Sequence, residues 1–231
     1  MRMVKTLTFL VVVTLLACPA MAQQTLDVDC SAAEGLNTLA AALEMANSGD
    51  TISITGPCPD TKAQVTKDAL SIVGAGEEQA VLDGGDQSEP VIMVDGARRV
   101  TIQNVKVMNG QQGLLAAKGA AVTVANVMAQ GNAEDGFSID EGATARLSDC
   151  TAQDNGDDGF GVLRSSNATF SGTITSRGNG DDGIAVVLNA NGTFSGAQVS
   201  ATNNGQSETF RHLKNSLCNH RLKVNLRIRG V

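Results

Sequence analysis

A repeat of 23 or 24 residues constrains this chain more than any other feature. Gly113, Gly136, Gly159 and Gly183 follow one another at spacings of 23, 23 and 24. Each lies four residues after an Asn (Asn109, Asn132, Asn155, Asn179) and just before an apolar residue (Leu114, Phe137, Phe160, Ile184). A second apolar column runs Ile102, Val124, Leu147, Phe170, Phe194 at spacings of 22, 23, 23 and 24. The best-matched units read Asn155-Gly-Asp-Asp-Gly-Phe-Gly-Val162 and Asn179-Gly-Asp-Asp-Gly-Ile-Ala-Val186. A fixed period of this length means stacked units, none of which buries its apolar face alone.

Within each unit the apolar residues alternate in short runs, such as Val122-Thr-Val124 and Phe137-Ser-Ile139. Alternation at period two is a strand signal, and the intervening Gly, Asn and Asp are turn formers. No helical pattern of ten residues separates the runs, which disfavours helical and leucine-rich solenoids. Three short strands per unit fit one turn of a parallel β-helix, each coil about 4.8 Å above the last. Leu, Ile, Val and Phe columns then fill the interior. Asn columns sit at turns, where their amides bond one another up the stack. The expected fold is therefore all-β: a single-stranded right-handed parallel β-helix of roughly six or seven coils over 51–205. Ahead of it, 23–50 reads as an N-terminal cap. Leu36, Leu39, Ala40, Leu43 and Ala46 share one face of a helix that covers the open end. Gly49 is its stop, and Thr51-Ile-Ser-Ile-Thr55 is the first strand.

Residues 1–22 read as an export signal. Arg2 and Lys5 precede the apolar run Thr6–Ala17, and Ala20-Met21-Ala22 offers a cleavage site, so the mature chain begins at Gln23. Leu15-Leu16-Ala17-Cys18 offers a competing reading, a lipoprotein box with Cys18 lipidated. Either reading places the protein outside the cytoplasm: secreted, periplasmic or on the cell surface. Oxidising conditions there pair Cys30 with Cys58 across one local unit, while Cys150 falls at a repeat core position. No Cys/His spacing suggests zinc.

Charge divides the chain. Residues 23–205 carry 9 basic residues against 23 acidic ones, whereas 206–231 carry six basic residues and one acid. The acidic balance argues against a nucleic-acid partner. The absence of Trp and Tyr removes the usual platforms for stacking on bases or sugars. The tail, 206–231, breaks the period. It reads either as a C-terminal cap or as the aberrant end of a longer repeat. In the first reading Phe210, Leu213 and Leu217 line a helix, and Arg221–Arg229 alternates as a last strand. An uncovered C-terminal end would permit self-association. Asn167-Ala-Thr169 and Asn191-Gly-Thr193 match glycosylation sequons, but the repeat explains them as turn residues.

The segment Leu39-Ala-Ala-Ala-Leu43 through Gly49-Asp-Thr-Ile-Ser-Ile-Thr-Gly-Pro-Cys58 precedes coils of the Asn-Gly-x-Asp-Gly-Phe/Ile-x-Val kind. Together they resemble the pectin-lyase-like superfamily of right-handed parallel β-helices over residues 30–205. The resemblance is specific for fold and weak for function, because that superfamily holds lyases, hydrolases, epimerases and non-catalytic repeats.

The candidate chemistry is acidic. Glu134-Asp135, Asp157-Asp158 and Asp181-Asp182 each precede a repeat Gly, so the register stacks them in two columns along one edge. Like charges about 5 Å apart cost roughly 1–3 kcal/mol per pair at effective dielectrics of 80 down to 20. Ca²⁺, a hard cation with flexible oxygen coordination, offsets that cost, as do raised carboxylate pKa values. A ladder of solvated Asp-Gly turns is the structural alternative. Gly180-Asp-Asp-Gly-Ile-Ala-Val186 is similar to the aspartate-pair motif of polygalacturonases, which makes Asp158, Asp181 and Asp182 candidate acids and bases. That family has Cys where Gly183 stands and a later Gly-His-Gly, which no coil here supplies. A lyase needs an Arg or Lys base, with Arg164 the candidate. Lys118, Glu141 and Arg164 occupy equivalent positions and read as a surface charge ladder. The leading functional expectation is a non-catalytic binding or surface-structural repeat protein, Ca²⁺-dependent where the acidic columns hold the ion, with an acidic polysaccharide or cell-surface component as partner. The alternative is a lyase or hydrolase acting on uronate polysaccharide. No transmembrane segment is expected in the mature chain.

Overall fold

The computed structural model describes residues 23–76, 79–206 and the backbone of 211–212. The readings on the export signal, on Cys18 and on most of the tail, including Arg221–Arg229, lie outside the described residues.

The chain winds as a parallel β-solenoid, and every strand pairing is parallel. The first face stacks Thr25–Asp29, Thr51–Thr55, Ser71–Gly74, Arg98–Gln103 and Ala121–Ala125. It continues through the starts of Thr144–Gln153 and Asn167–Arg177 to Asn191–Phe194. The second face stacks Pro57–Cys58, Ala80–Asp83, Val105–Met108 and Met128–Gln130, then the ends of the same two long strands and Gln198–Thr202. Because those two strands run round the corner, the two faces form one 13-stranded sheet. A separate 7-stranded sheet makes the third face, from Ala63–Val65 to Phe137–Ile139, Phe160–Val162, Ile184–Val186 and Arg211–His212.

The solenoid has about 8 turns, against the six or seven that the repeat arithmetic gives. The extra rung is Thr25–Asp29, which pairs in register with Thr51–Thr55 although the cap helix intervenes in sequence. At the other end the third face continues past residue 205, since Arg211 and His212 pair with Ala185 and Val186.

The interior follows the sequence columns. Ile52, Ile72, Ile102, Val124, Leu147, Phe170 and Phe194 face inward on successive rungs of the first face. Ile92, Leu114, Phe137, Phe160 and Ile184 do so on the third. Phe137 stacks on Phe160 at 4.8 Å and Phe170 on Phe194 at 4.8 Å, so the ring spacing is the coil spacing. Phe160 meets Phe170 edge-on at 5.8 Å and ties the two columns together. Cys150 is a buried packing residue, and burial pushes its thiol up to about 12. Cys30 and Cys58 form a disulfide.

A buried amide ladder runs beside the core. Asn132 Nδ2 donates to Asn155 Oδ1, Asn155 Nδ2 to Asn179 Oδ1, and Asn179 Nδ2 to Asn204 Oδ1, each at 2.9 Å. The backbone N–H of each lower Asn donates to the same oxygens. The repeat Gly is required here, because a Cβ at Gly136 would stand 2.8 Å from Asn155 Nδ2. Asn109 is not a ladder member. The N–H of Gly110 takes that place on Asn132 Oδ1, and Asn109 begins a neighbouring left-handed column with Gly131, Asp154, Gly178 and Asn203. The turn before Gly113 is one residue shorter than those before Gly136, Gly159 and Gly183, which changes the phase. The sequon residues Asn167 and Asn191 open strands rather than turns, with Asn191 Nδ2 on Asn167 Oδ1 at 3.1 Å.

The cap helix is shorter than the apolar pattern suggests: it spans Leu39–Met45, started by Thr38, whose hydroxyl accepts from the Ala41 N–H. Leu39, Ala42, Leu43 and Ala46 are buried, while Ala40 is exposed and Leu36 packs from the preceding loop. Lys67, from the first full coil, closes the helix end. Its ammonium donates to the carbonyls of Leu43, Glu44 and Ala46 at 2.8, 2.9 and 2.7 Å. After the left-handed Gly49, buried Asp50 accepts from the N–H groups of Gln24 and Asn47 and so joins the cap to the first two rungs.

Candidate metal-binding edge

The corner between the second and third faces carries the acids. Backbone hydrogen bonds set the outer column: Glu134 N–H to Gln111 O, Asp157 N–H to Glu134 O, Asp181 N–H to Asp157 O, Gln206 N–H to Asp181 O. The inner column is Asp135, Asp158, Asp182, where each Asp backbone N–H donates to the carboxylate one coil back. These distances are 3.2 Å for Asp158 on Asp135 and 2.9 Å for Asp182 on Asp158. The six acids therefore stack in two columns, in the register their spacing implies.

Their environments differ. Glu134 is held by the amides of Gln111 and Gln112. Asp135 is buried and lies over the third face, where a Cβ at Gly161 would stand 2.7 Å from its Oδ2. Burial pushes its carboxyl up to about 7. The charges of Asp157 and Glu134 add to the rise, and hydrogen bonds from Ser138 and the Asp158 N–H oppose it. Burial likewise pushes Asp158 up to about 7, against the Asp182 N–H and with the charges of Asp135, Asp157 and Asp182. Asp157, at the surface, is raised by partial burial and then by Asp181 and Glu134. Asp182 is buried.

Of the six, Asp157, Asp158 and Asp181 come together: one carboxylate oxygen from each lies within 4.8 Å of the others. Ca²⁺ takes oxygens at 2.3–2.6 Å, so ligands on opposite sides of one ion stand at most about 5 Å apart. The triad fits such an ion and leaves coordination positions for solvent or another ligand. Glu134, tied to two glutamines, and Asp135, turned onto Gly161, do not join the triad.

Arg164 stands at the far edge of the third face. Its Nε donates to Asp140 Oδ1 at 2.7 Å and its Nη2 to Asp140 Oδ2. Asp140 raises the guanidinium pKa further, so Arg164 donates rather than accepts protons. Lys118 pairs the same way with Asp95 at 2.9 Å. The ladder of Lys118, Glu141 and Arg164 is real in register, since the N–H groups of Gly119 and Gly142 donate to the carbonyls of Glu141 and Arg164. Its cations, however, are neutralised by Asp95 and Asp140 rather than by Glu141. These partner acids carry no motif. Each lies one coil back from its cation, so an offset of 23 or 24 residues was the available signal. Among the described residues no helix is long and apolar enough to cross a membrane.

Comparison with solved structures gives pectate lyase Pel9A, at 20% identity and TM-score 0.62, over 79% of this chain and 55% of that one. The chain thus spans about half the length of that relative. Pectin methylesterase PemA from Erwinia chrysanthemi aligns at 13% identity and TM-score 0.52, over 80% of each chain. A pectin methylesterase mutant in complex with hexasaccharide IV aligns at 16% identity and TM-score 0.52, over 81% and 66%. Identities this low show the fold. Comparison with curated proteins finds no match. The profile described as "Right handed beta helix region" matches residues 90–219, more than half of the chain. With that match and the coil-by-coil pairing above, the chain belongs to the right-handed β-helix family.

Proposed function

We propose that this protein acts on acidic polysaccharide outside the cytoplasm, through Ca²⁺ held on its acidic edge. The observation that carries this reading is the triad of Asp157, Asp158 and Asp181, whose oxygens lie within 4.8 Å of one another. Three carboxylates fill only part of a Ca²⁺ shell of six to eight oxygens. A uronate carboxylate and a neighbouring hydroxyl complete it, so the ion bridges two anions that otherwise repel. The kinship in fold with a pectate lyase and with pectin methylesterases supports the polymer class over a purely structural role. The disulfide between Cys30 and Cys58 supports an oxidising compartment.

One observation favours a second reading, hydrolysis. Burial pushes Asp135 and Asp158 up to about 7, so each carries a proton part of the time at neutral pH beside Asp157. A protonated carboxyl gives its proton to the glycosidic oxygen, and an ionised neighbour takes one from attacking water.

The test is incubation with polygalacturonate and polymannuronate, with Ca²⁺ or with chelator. Calcium-dependent cosedimentation is the expected result. Unsaturated product absorbing in the ultraviolet marks a lyase, and new reducing ends without it mark a hydrolase. Intact polymer marks a binding module. No calcium-dependent association with either polymer refutes the proposal.

A further inference from the structure

Five Asn-Gly pairs occur in the chain: Asn109-Gly110, Asn155-Gly156, Asn179-Gly180, Asn191-Gly192 and Asn204-Gly205. This dipeptide is the one most able to modify itself. Gly has no Cβ to obstruct its backbone nitrogen, so that nitrogen can reach the side-chain carbonyl carbon of the Asn before it. The attack needs two freedoms. The Gly N–H must give up its proton, and the Asn side chain must swing over its own backbone. A hydrogen bond that holds either group opposes the step.

Four of the pairs are held on both counts. The N–H groups of Gly156, Gly180 and Gly205 donate to the carbonyls of Asn132, Asn155 and Asn179 at 2.8, 2.8 and 2.9 Å. The side chains of Asn155, Asn179 and Asn204 are fixed in the amide ladder. At the fourth pair the Gly110 N–H donates to Asn132 Oδ1 at 2.9 Å, and Asn109 Nδ2 donates to Asp83 Oδ1 at 3.0 Å. Asn191-Gly192 differs. Asn191 is exposed, and its amide donates only to Asn167 Oδ1, at 3.1 Å, among the described residues. The N–H groups of Asn191 and Ser195 donate back to Ser166 O at 2.9 Å and Phe170 O at 2.8 Å. N–H groups alternate in direction along a strand, so that of Gly192 points away from the coil before it. Among the described residues the strand Asn191–Phe194 pairs with Asn167–Arg177 and no other, so no described carbonyl meets that N–H. The strand also starts straight after a turn in which Leu188 and Asn189 are both left-handed, with φ of 56 and 63°. A strand start held from one side opens locally at little cost.

We propose that Asn191 is a self-modification site, which deamidates in the folded protein while the four held Asn-Gly pairs keep their amides. The Gly192 nitrogen loses its proton to solvent base and bonds to Asn191 Cγ. The Cγ–Nδ2 bond breaks and ammonia leaves, giving a five-membered succinimide. Water then opens the ring at one of its two carbonyls. Attack at Cγ leaves Asp, and attack at the main-chain carbonyl leaves isoaspartate. No oxidant, reductant or cofactor enters. Either product sets a carboxylate beside Asn167 on the first face. Isoaspartate also routes the main chain through the old side chain and adds one methylene to the strand. Gly192 lies over the core, where a Cβ would stand 3.8 Å from the Phe194 ring and 3.9 Å from the Phe170 ring. The added length shifts Gly192–Phe194 against Ala168–Phe170 and parts the stacked Phe170 and Phe194. The last described rung of the first face therefore loosens as the protein ages.

The test incubates the native full chain at neutral and at mildly alkaline pH and maps its peptides by mass over time. Methyl transfer by an isoaspartate-specific methyltransferase is the second readout. Asn191 is expected to convert first, and faster at the higher pH, because the attacking nitrogen must lose its proton. Asn109, Asn155, Asn179 and Asn204 convert about a hundredfold more slowly, since they react only through local opening. In urea, where those hydrogen bonds are gone, all five convert at comparable rates. Wild type loses melting temperature as isoaspartate accumulates. Asn191→Gln removes most of the native methyl transfer and holds its melting temperature through the same incubation. An Asn191 that keeps its amide in the native protein, while the urea-unfolded chain converts, refutes the proposal. So does any of the other four converting as fast as Asn191 in the native protein.

Discussion

Replacing Asn155 by Ala removes the middle of the buried amide ladder. The Asn155 Oδ1 accepts from Asn132 N–H at 3.1 Å and from Asn132 Nδ2 at 2.9 Å. Its Nδ2 donates to Asn179 Oδ1 at 2.9 Å and to Ala129 O at 3.3 Å. Truncation leaves the Asn132 N–H with no acceptor and strips one bond each from the Asn132 amide, Asn179 Oδ1 and Ala129 O. A buried group that loses its partner costs about 1–3 kcal/mol. Asn179 Oδ1 keeps the Asn155 N–H, so the loss concentrates on Asn132. The sum is about 4 kcal/mol, a large share of the stability of a domain this size. Urea unfolding followed by circular dichroism measures it, provided the m-value is unchanged. Asn109→Gly is the control: Asn109 sits at φ 55 in the left-handed column, where Gly is at ease, and it gives up only one side-chain bond, to Asp83 Oδ1 at 3.0 Å, so the loss is about 1 kcal/mol. A loss below about 1 kcal/mol for Asn155→Ala, or equal losses for the two variants, refutes the ladder as a structural element.

Three further outcomes are expected. Lys67→Met removes all three hydrogen bonds to the last carbonyls of the cap helix and costs about 1–2 kcal/mol, read by the same unfolding assay. Gly161→Ala drives Asp135 off the third face, because the new Cβ stands 2.7 Å from Oδ2; a cost of about 1–3 kcal/mol follows from overpacking. In calcium-free buffer, stability falls as pH rises from about 4 to about 7. The folded state holds protons on Asp135 and Asp158 up to about 7, whereas the unfolded chain releases them near 3.8, so raising the pH draws protons from the folded form. Asp135→Asn flattens that slope in thermal melts taken across the window.

The sequence carried the solenoid because a period of 23 residues, alternating runs and turn residues agree with one another at every coil. Stacked Phe137 and Phe160 and the register of all six acids follow from that phase alone, and the disulfide from export and the two cysteines that flank one local unit. Other features depend on what the period does not contain. The first rung, Thr25–Asp29, is cut off from the repeat by the cap helix and announces itself only by pairing. Lys67 looks like any surface lysine until the helix end is seen above it. A turn one residue shorter than the next takes Asn109 out of the ladder. Asp95 and Asp140 became legible as partners only when long cationic side chains were seen to reach back one coil. In the acidic columns, position was written in the repeat, but side-chain direction was not. Whether Asp135 turns inward or joins the triad depends on the missing Cβ of Gly161.

The central claim is that Asp157, Asp158 and Asp181 hold one Ca²⁺. Calorimetric titration of calcium into wild type and into Asp157→Asn tests it most directly, with thermal melting on the same samples. Saturable binding near one ion per chain is predicted for the wild type. With the ion at a hundred times its dissociation constant the stability gain is about 2.7 kcal/mol. Asp157→Asn should lose both binding and gain. A wild type that shows no heat of binding and no change in melting at millimolar calcium contradicts the account.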